Sequence, residues 1–420
     1  MNEQYRLFVG IDWAKEEHVI CILNAERKVL QEQKIEHSGK AIGQFAEQLR
    51  KLCEDQPATV AVSMETPRGA IVDTLVERGF AVYSLNPKQM DRFRDRHTVA
   101  GAKDDRRDAF VLADSLRTDL HLFRKVKLDD PLVIRIRELS RMEEDIVQDQ
   151  VRNGHRLEDL LNRYYPQALK LCPSVNKEWF WDLLELEPKP GQKVSAAKVT
   201  KILKTYRIRR WDGEAVKQIL EEKALQLSPG AAEAASEHVL MILPQMRQLE
   251  EQRKELVRRT KGLLEQMGTE GQYAEHRDVS ILLSLPGVGR VVTITMLSEA
   301  SQPLSERDYH ALRAYGGTAP VTKRSGKSKS IGMRRSSNPR LRNAIYHWSR
   351  VSAQCDEHSK KQYAELRSKG HTHGRALRGV GDRLLGVLVA MLKSGTPYER
   401  NYKKPVKVSA EGRSEGLASN

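Results

Sequence analysis

Cysteine is scarce and unpatterned: four in 420 residues, at Cys21, Cys53, Cys172 and Cys355, with no Cys-x-x-Cys spacing. That excludes a disulfide framework and a cysteine zinc site, and leaves buried free thiols in a reducing compartment as the expectation. No apolar run reaches the ~18 residues of a membrane span, and no basic amphipathic anchor helix stands out, so no membrane partner is expected. The opening MNEQYRLFVGID lacks the charged and apolar regions of a secretory leader, and the expected location is cytoplasmic. No P-loop pattern occurs. Sugar-kinase and actin-like ATPases also begin with a strand ending in Gly-x-Asp, but they need a glycine-rich turn to cradle phosphates; here Trp13-Ala14-Lys15 follows. Acid is short relative to base, with 56 Asp+Glu against 71 Lys+Arg and a net charge of +15. That surplus fits a polyanionic partner, because neutralising phosphates releases counterions.

What is present falls into three textures. Residues 1–125 read as α/β: RLFVGID, HVICILN and KVLQEQKIEH as a meander, then ATVAVSM and AVYSLN as strands separated by helical runs. ATVAVSM is nearly continuous in apolar residues, as expected where both faces of a sheet are covered. Residues 126–272 read as all-α. Val239, Ile242, Met246, Leu249, Leu256, Leu263 and Met267 follow heptad spacing, interrupted by Arg253 and Thr260, so a helical coiled-coil linker is expected. It would pair antiparallel within the chain or between protomers, and Pro244 would kink it or start it. Residues 273–400 are helical around a loop-rich basic middle, and residues 401–420 read as a disordered tail.

Carboxylates fall at telling places. Asp12 ends the first strand and Glu65 ends another, so carboxylates at adjacent strand ends converge on one point above the sheet. In KDDRRDA, Asp105 and Asp108 share a helix face; Asp104 and Asp108, four apart, would share one too. Such a set suits Mg²⁺, which takes a few carboxylates plus water and substrate phosphate. The blander possibilities are an Asp108 paired with Arg106 or Arg107 and an Asp12 capping a turn. Further on, ILLSLPGVGRVVTITMLSEA is a helix-hairpin-helix pattern: Gly287 and Gly289 let backbone approach a phosphate, and Arg290 adds charge at the second helix start. From Val321 to Arg350 there are nine Lys/Arg and no acid, including Lys323, Arg324, Lys327, Lys329, Arg334 and Arg335. A basic run after such a hairpin is expected to contact DNA backbone. His371 and His373 form an isolated His-x-His, read as a polar phosphate-contacting loop rather than zinc.

The ordered set FVGIDWAKEEHVICIL, METP, KDDRRDA, LLSLPGVGRVVTITMLSE, AYGGTAPVTKRSGKSKSIG, LRNAIYHWS and LLGVLVAMLKSGTPY resembles the DEDD-type transposases of the IS-one-ten insertion-sequence family. The match covers roughly residues 5–125 and 275–398. The resemblance implies an RNase H-like, RuvC-like first domain in which Asp12, Glu65, Asp105 and Asp108 hold Mg²⁺. Asp104 stands where the family pattern has threonine, which favours Asp105. It further implies a C-terminal transposase domain with a nucleophilic serine before a glycine, here Ser325-Gly326. This chain has Arg-Ser-Gly-Lys where many relatives have Ser-Ser-Gly-Gly, so Ser328 and Ser330 stay as lesser candidates. The family resemblance also implies donor and target DNA as partners, a structured bridge RNA as guide, and a homo-oligomer, dimer or tetramer.

The mechanism this points to is metal-dependent DNA strand exchange through a covalent phosphoserine link, which needs no ATP. Two rival readings share the residues: a RuvC-like endonuclease using metal-activated water, and a nucleic-acid-binding protein without catalysis.

Overall fold

In the computed structural model, residues 4–65, 69–85, 87–97, 104–127, 130–191, 193–228, 230–269, 274–326 and 328–399 are described. The chain divides into two compact units, Met1–Asp130 and Pro131–Asn420. The tail expectation at 401–420 lies outside the described residues.

In the first unit β1 (Leu7–Asp12), β2 (Glu17–Asn24) and β3 (Val29–Glu36) form the expected antiparallel meander. After α1 (Gly39–Leu52), β4 (Val60–Met64) returns parallel to β1; after α2 (Ala70–Glu77), β5 (Ala81–Ser84) lies parallel to β4. Then come α3 (Pro87–His97), α4 (Asp105–Asp119) and a short antiparallel edge, β6 (Arg124–Lys125), giving the sheet order β3-β2-β1-β4-β5-β6. Alternation sorts the strand residues between two cores. Val9, Ile11, Val62 and Met64 pack with Phe45 and Leu49 of α1 and Ile71 and Leu75 of α2. Phe8, Ala61 and Tyr83 pack on the opposite face with Phe93 of α3 and Leu112 and Leu116 of α4. Both faces are covered, which explains why β1 and β4 read as unbroken apolar runs.

Gly10 belongs to the face under α4. A Cβ there would lie 1.9 Å from the Ala109 carbonyl oxygen and 2.6 Å from the Ala113 nitrogen. Gly10→Ala must push the helix off the sheet and is expected to cost about 3 kcal/mol. Thermal unfolding checks this, with a melting point lower by roughly 10 °C expected.

The second unit is built on two long helices, α5 (Pro131–Tyr164) and α10 (Ala231–Thr269). Between them in sequence lie α6 (Pro166–Leu171), α7 (Glu178–Leu186), α8 (Ala196–Thr205) and α9 (Gly213–Leu220). The long pair is antiparallel within the chain. Leu157 and Leu161 of α5 share a core with Val239, Ile242 and Met246 of α10. Gln150 donates to Glu250 at 2.8 Å midway. Val133 and Ile136 join Leu263 and Met267 at the far end. The helix α10 neither starts nor stops at Pro244. That residue is exposed, so the carbonyl of Leu240 that loses its N–H partner can turn to water.

The rest is α11 (Ala274–Ser284), α12 (Arg290–Glu299), α13 (Ser301–Ser305), α14 (Tyr309–Tyr315), β7 (Val321–Ser325), β8 (Ser328–Gly332), α15 (Pro339–Cys355), α16 (Glu357–Ser368) and α17 (His373–Ser394). Apolar residues of α11, α12, α15 and α17 surround Trp348 in one core with the ends of α5 and α10. The basic middle, expected as loop, is a two-stranded antiparallel hairpin. Cys21, Cys53 and Cys172 are buried free thiols as expected, and burial pushes Cys21 up to about 12. Cys355, at the end of α15, is exposed instead. Among the described residues no helix is long and apolar enough to cross a membrane.

Candidate active site and nucleic-acid interface

Ile11 of β1 pairs with Met64 of β4, so Asp12 and Glu65 are the next residues on adjacent parallel strands. Each is half-buried. Parity decides where they face: two residues beyond Gly10 and Ser63, both belong to the side of the sheet covered by α3 and α4. The crevice outside the carboxyl ends of strands, where chain connections diverge to either side, is the usual ligand position in such sheets. β1 is that switch point, with β2 on one side and β4 on the other.

Local capping separates the three aspartates of α4. Asp104 is the N-cap, its Oδ1 accepting from the Arg106 backbone N–H at 3.3 Å. Asp105 is the exposed first helical residue, and Asp108, one turn later, is buried at 2% exposure. Asp108 is held by Arg94 of α3, which donates from Nε to Oδ1 at 2.7 Å and from Nη2 to Oδ2 at 2.9 Å. Arg94 also reaches Asp91 at 2.9 Å. The Asp108 hydrogen bonds, followed by the fields of Asp108, Asp91 and Glu65, raise its already high pKa further. Arg94 was not foreseen from the sequence, where DRFRDRH gives no sign of which arginine turns inward.

The set is rich in hard oxygen donors, the chemistry a divalent cation of the Mg²⁺ type requires. A buried Asp108 needs a positive charge beside it, and a guanidinium supplies that charge here. Among the described residues no three His, Cys, Asp or Glu side chains are grouped closely enough to hold a metal by themselves. The donors therefore fit a cation in kind, with Arg94 holding one of them. Arg94→Ala would strand a buried carboxylate and is expected to destabilise the fold by about 3 kcal/mol. Thermal unfolding of the variant reads this directly.

In the second unit the Pro-Gly-Val-Gly turn joins α11 to α12 as expected, but its residues are heavily engaged. The Pro286 carbonyl accepts from Trp348 Nε1 at 3.0 Å and from Ser352 Oγ at 2.7 Å. Gly287 has φ +76°, and a Cβ on it would meet Ser352 Oγ at 2.8 Å. Its small size lets the turn pack on α15. Arg290 donates to Glu143 at 3.0 and 2.8 Å and to Thr260 at 2.7 Å. Thus Thr260, a polar break in the heptads, partners the turn. Gly289 alone of the three is open, at the N-terminus of α12.

Ser325 ends β7 directly opposite Ser328, across the two-residue turn that starts at Gly326, φ +55°. Such tight turns favour glycine because their backbone twist needs positive φ. Ser325 is exposed, and no atom lies within 4 Å of where a Gly326 Cβ would stand. Ser330, two residues beyond Ser328, shares the face of the Ser325/Ser328 pair. Arg324 and Arg335 are exposed, while Arg334 is half-buried with an unpartnered Nε. Lys327 and the side chains of Lys323 and Lys329 lie outside the described residues.

Residues that flank the hairpin in sequence, Gly317, Thr318 and Met333, line a cavity of about 600 Å³ together with Arg340, Arg342, Tyr346 and Arg378, among others. Arg340 is neutralised by Glu144 and by Glu299 at 2.6 Å. Arg378 has no carboxylate partner among the described residues, and burial, then the Arg375 charge, push its pKa down. A guanidinium that lines a cavity beside Arg340 and Arg342 suits an anionic ligand. His373 opens α17 with its Nδ1 2.8 Å from the Tyr363 hydroxyl.

Two family models match the chain in order. A transposase model of the DEDD type for IS110 covers residues 9–166, and the "Transposase IS116/IS110/IS902 family" model covers residues 279–364. The chain belongs to the IS110 family of transposases. "Putative transposase y4uE" of Sinorhizobium fredii is 39% identical over 229 residues, which is 54% of this chain and 64% of that protein. "Mini-circle putative transposase for IS117" of Streptomyces coelicolor is 29% identical over 408 residues, 95% of this chain and 96% of the relative. "Insertion element IS110 uncharacterized 43.6 kDa protein" of the same organism is 26% identical over 422 residues, 97% and 99% of the two chains. The DEDD assignment implies dependence on a divalent metal in general.

Proposed function

We propose that this IS110-family transposase cuts and rejoins DNA strands by Mg²⁺-dependent phosphoryl transfer, through a covalent link on Ser325. What supports the reading is that Asp12 and Glu65 stand at the carboxyl ends of adjacent parallel strands β1 and β4, on the sheet face covered by α4, the helix that carries buried Asp108. That arrangement supports an RNase H-like, RuvC-like first unit with Asp105 as the fourth, exposed carboxylate. Mg²⁺ bound there would polarise a phosphodiester and stabilise charge on its oxygens.

The chain's own residues do the rest. The Ser325 oxygen forms a bond to phosphorus as one DNA oxygen leaves and takes up the serine proton. Rejoining reverses the sequence with the hydroxyl of a new strand, so no external energy is needed. Arg324, Arg334, Arg335 and Arg378 offset the charge that develops on phosphate, and Gly289 gives backbone access at the start of α12. Lys323, Lys327 and Lys329 extend the basic character of the same hairpin. Donor and target DNA are the substrates, a structured bridge RNA is the guide, and α5 and α10 serve assembly into a dimer or tetramer in the cytoplasm.

A hydrolytic nuclease is the second reading. It is favoured by one feature: Ser325 is exposed at the tip of its hairpin, open to the water that would compete with it as attacking group. End-labelled DNA carrying the element ends separates the two. Covalent exchange gives a metal-dependent, protease-sensitive product on a denaturing gel; free ends alone would favour hydrolysis. Sequencing RNA that co-purifies with the protein tests the guide, with one discrete structured species expected.

A further inference from the structure

Residues 167–278, between the two family-matched segments, carry a cleft of about 900 Å³ that the transposase chemistry leaves unused. Its walls are the loop from Cys172 into α7, the loop from Tyr206 to Arg210 after α8, and Glu250, Arg253 and Lys254 on α10. Six cations and two carboxylates line it. The carboxylates are already matched on the α10 side: Glu250 pairs with Arg253 at 2.9 Å and Glu178 with Lys254. Lys177, Arg207, Arg209 and Arg210 remain without a carboxylate partner among the described residues.

The loops put these cations there at some cost. α8 closes with Arg207 at φ +54°, a left-handed position that glycine normally fills after a helix. α7 opens on Lys177, a cation at a helix start that supplies no side-chain acceptor for the first turn. Arg210 is fixed from behind, donating to the Leu171 carbonyl at 2.6 Å and lying over the Trp179 and Trp211 rings. Trp179 and Trp181 are buried at 4% and 3% exposure, so they hold the walls and offer no platform on which an unpaired base could stack.

We propose that this cleft binds the phosphate backbone of a nucleic-acid duplex, without reading its sequence. It adds a contact beyond the strand-exchange site, and a duplex is favoured over single strands because two of the three rings in the lining, Trp179 and Trp181, are buried, leaving half-buried Tyr206 as a single ring rather than a row of stacking platforms. Lys177, Arg207 and Arg209 supply the contacts, and Arg210 shapes the wall.

The test uses the full chain without Mg²⁺, so strand chemistry does not enter, and measures binding to a DNA duplex and to an RNA hairpin duplex by fluorescence anisotropy across salt concentrations. The triple variant Lys177→Gln, Arg207→Gln, Arg209→Gln is expected to weaken binding at least tenfold and to flatten the log–log salt slope by about 2 to 3, near one per lost phosphate contact. Loss on DNA only, RNA only or both identifies which duplex uses the cleft. The charge-conserving Lys177→Arg, Arg209→Lys variant is expected to bind like the parent, which separates charge loss from misfolding. Equal affinity and slope for the triple variant and the parent on both duplexes would overturn the proposal.

Discussion

Ser325→Ala is expected to abolish the protein-linked DNA product, lowering strand exchange by roughly 10⁴-fold or more, as removal of an attacking oxygen does in covalent catalysis. The change should cost the fold almost nothing. Ser325 is exposed at the tip of a hairpin whose ladder is backbone to backbone, and no atom crowds the adjacent Gly326. DNA affinity should therefore stay within about twofold of the parent, since the arginines around the hairpin are untouched. Ser328→Ala and Ser330→Ala make the comparison decisive, because both serines share the face of Ser325. If one of those variants lost the adduct while Ser325→Ala kept it, the attacking residue would move to Ser328 or Ser330, three or five positions along the hairpin. Quantifying protease-sensitive DNA on a denaturing gel reads all three.

Asp12→Asn is the second large effect. It keeps the size of the side chain and removes one negative charge from the end of β1, beside Glu65. A proposed metal donor becomes a neutral amide, and strand cleavage is expected to fall on the order of a thousandfold, equivalent to about 4 kcal/mol of lost transition-state stabilisation. Metal titration by calorimetry should show weaker binding in parallel, whereas DNA affinity in the absence of metal should hold. Unchanged cleavage would remove the carboxylate set from the chemistry.

The first unit was the most legible part of the chain, for a physical reason. Strands β1, β2, β4 and β5 are covered on both faces, so they stand out as apolar runs, and Asp12 and Glu65 mark the ends of two of them. The Asp104/Asp105 ambiguity was not legible. Both spacings suit a helix face, and only the capping hydrogen bond to Arg106 shows that Asp104 is committed to starting α4. Arg94 escaped notice because an ion pair across 14 positions leaves no local pattern. The β7–β8 hairpin escaped for the opposite reason: it projects little apolar surface, so its strands lack the alternation that a packed face imposes. Arg290 followed the expected sequence pattern exceptionally well, yet its guanidinium turns inward to Glu143. A motif fixes a backbone shape more firmly than the direction of its side chains. The stretch between the long helices offers no motif in sequence, and it carries the basic cleft because loops distant in sequence meet there.

Mass spectrometry of the DNA-linked peptide is the most direct measurement of the central claim. After reaction with element-end DNA in Mg²⁺, nuclease and protease digestion, a nucleotide phosphate is expected on the hydroxyl of Ser325. Efficient cleavage with every serine of the hairpin unmodified and only hydrolysed DNA ends recovered would contradict the account.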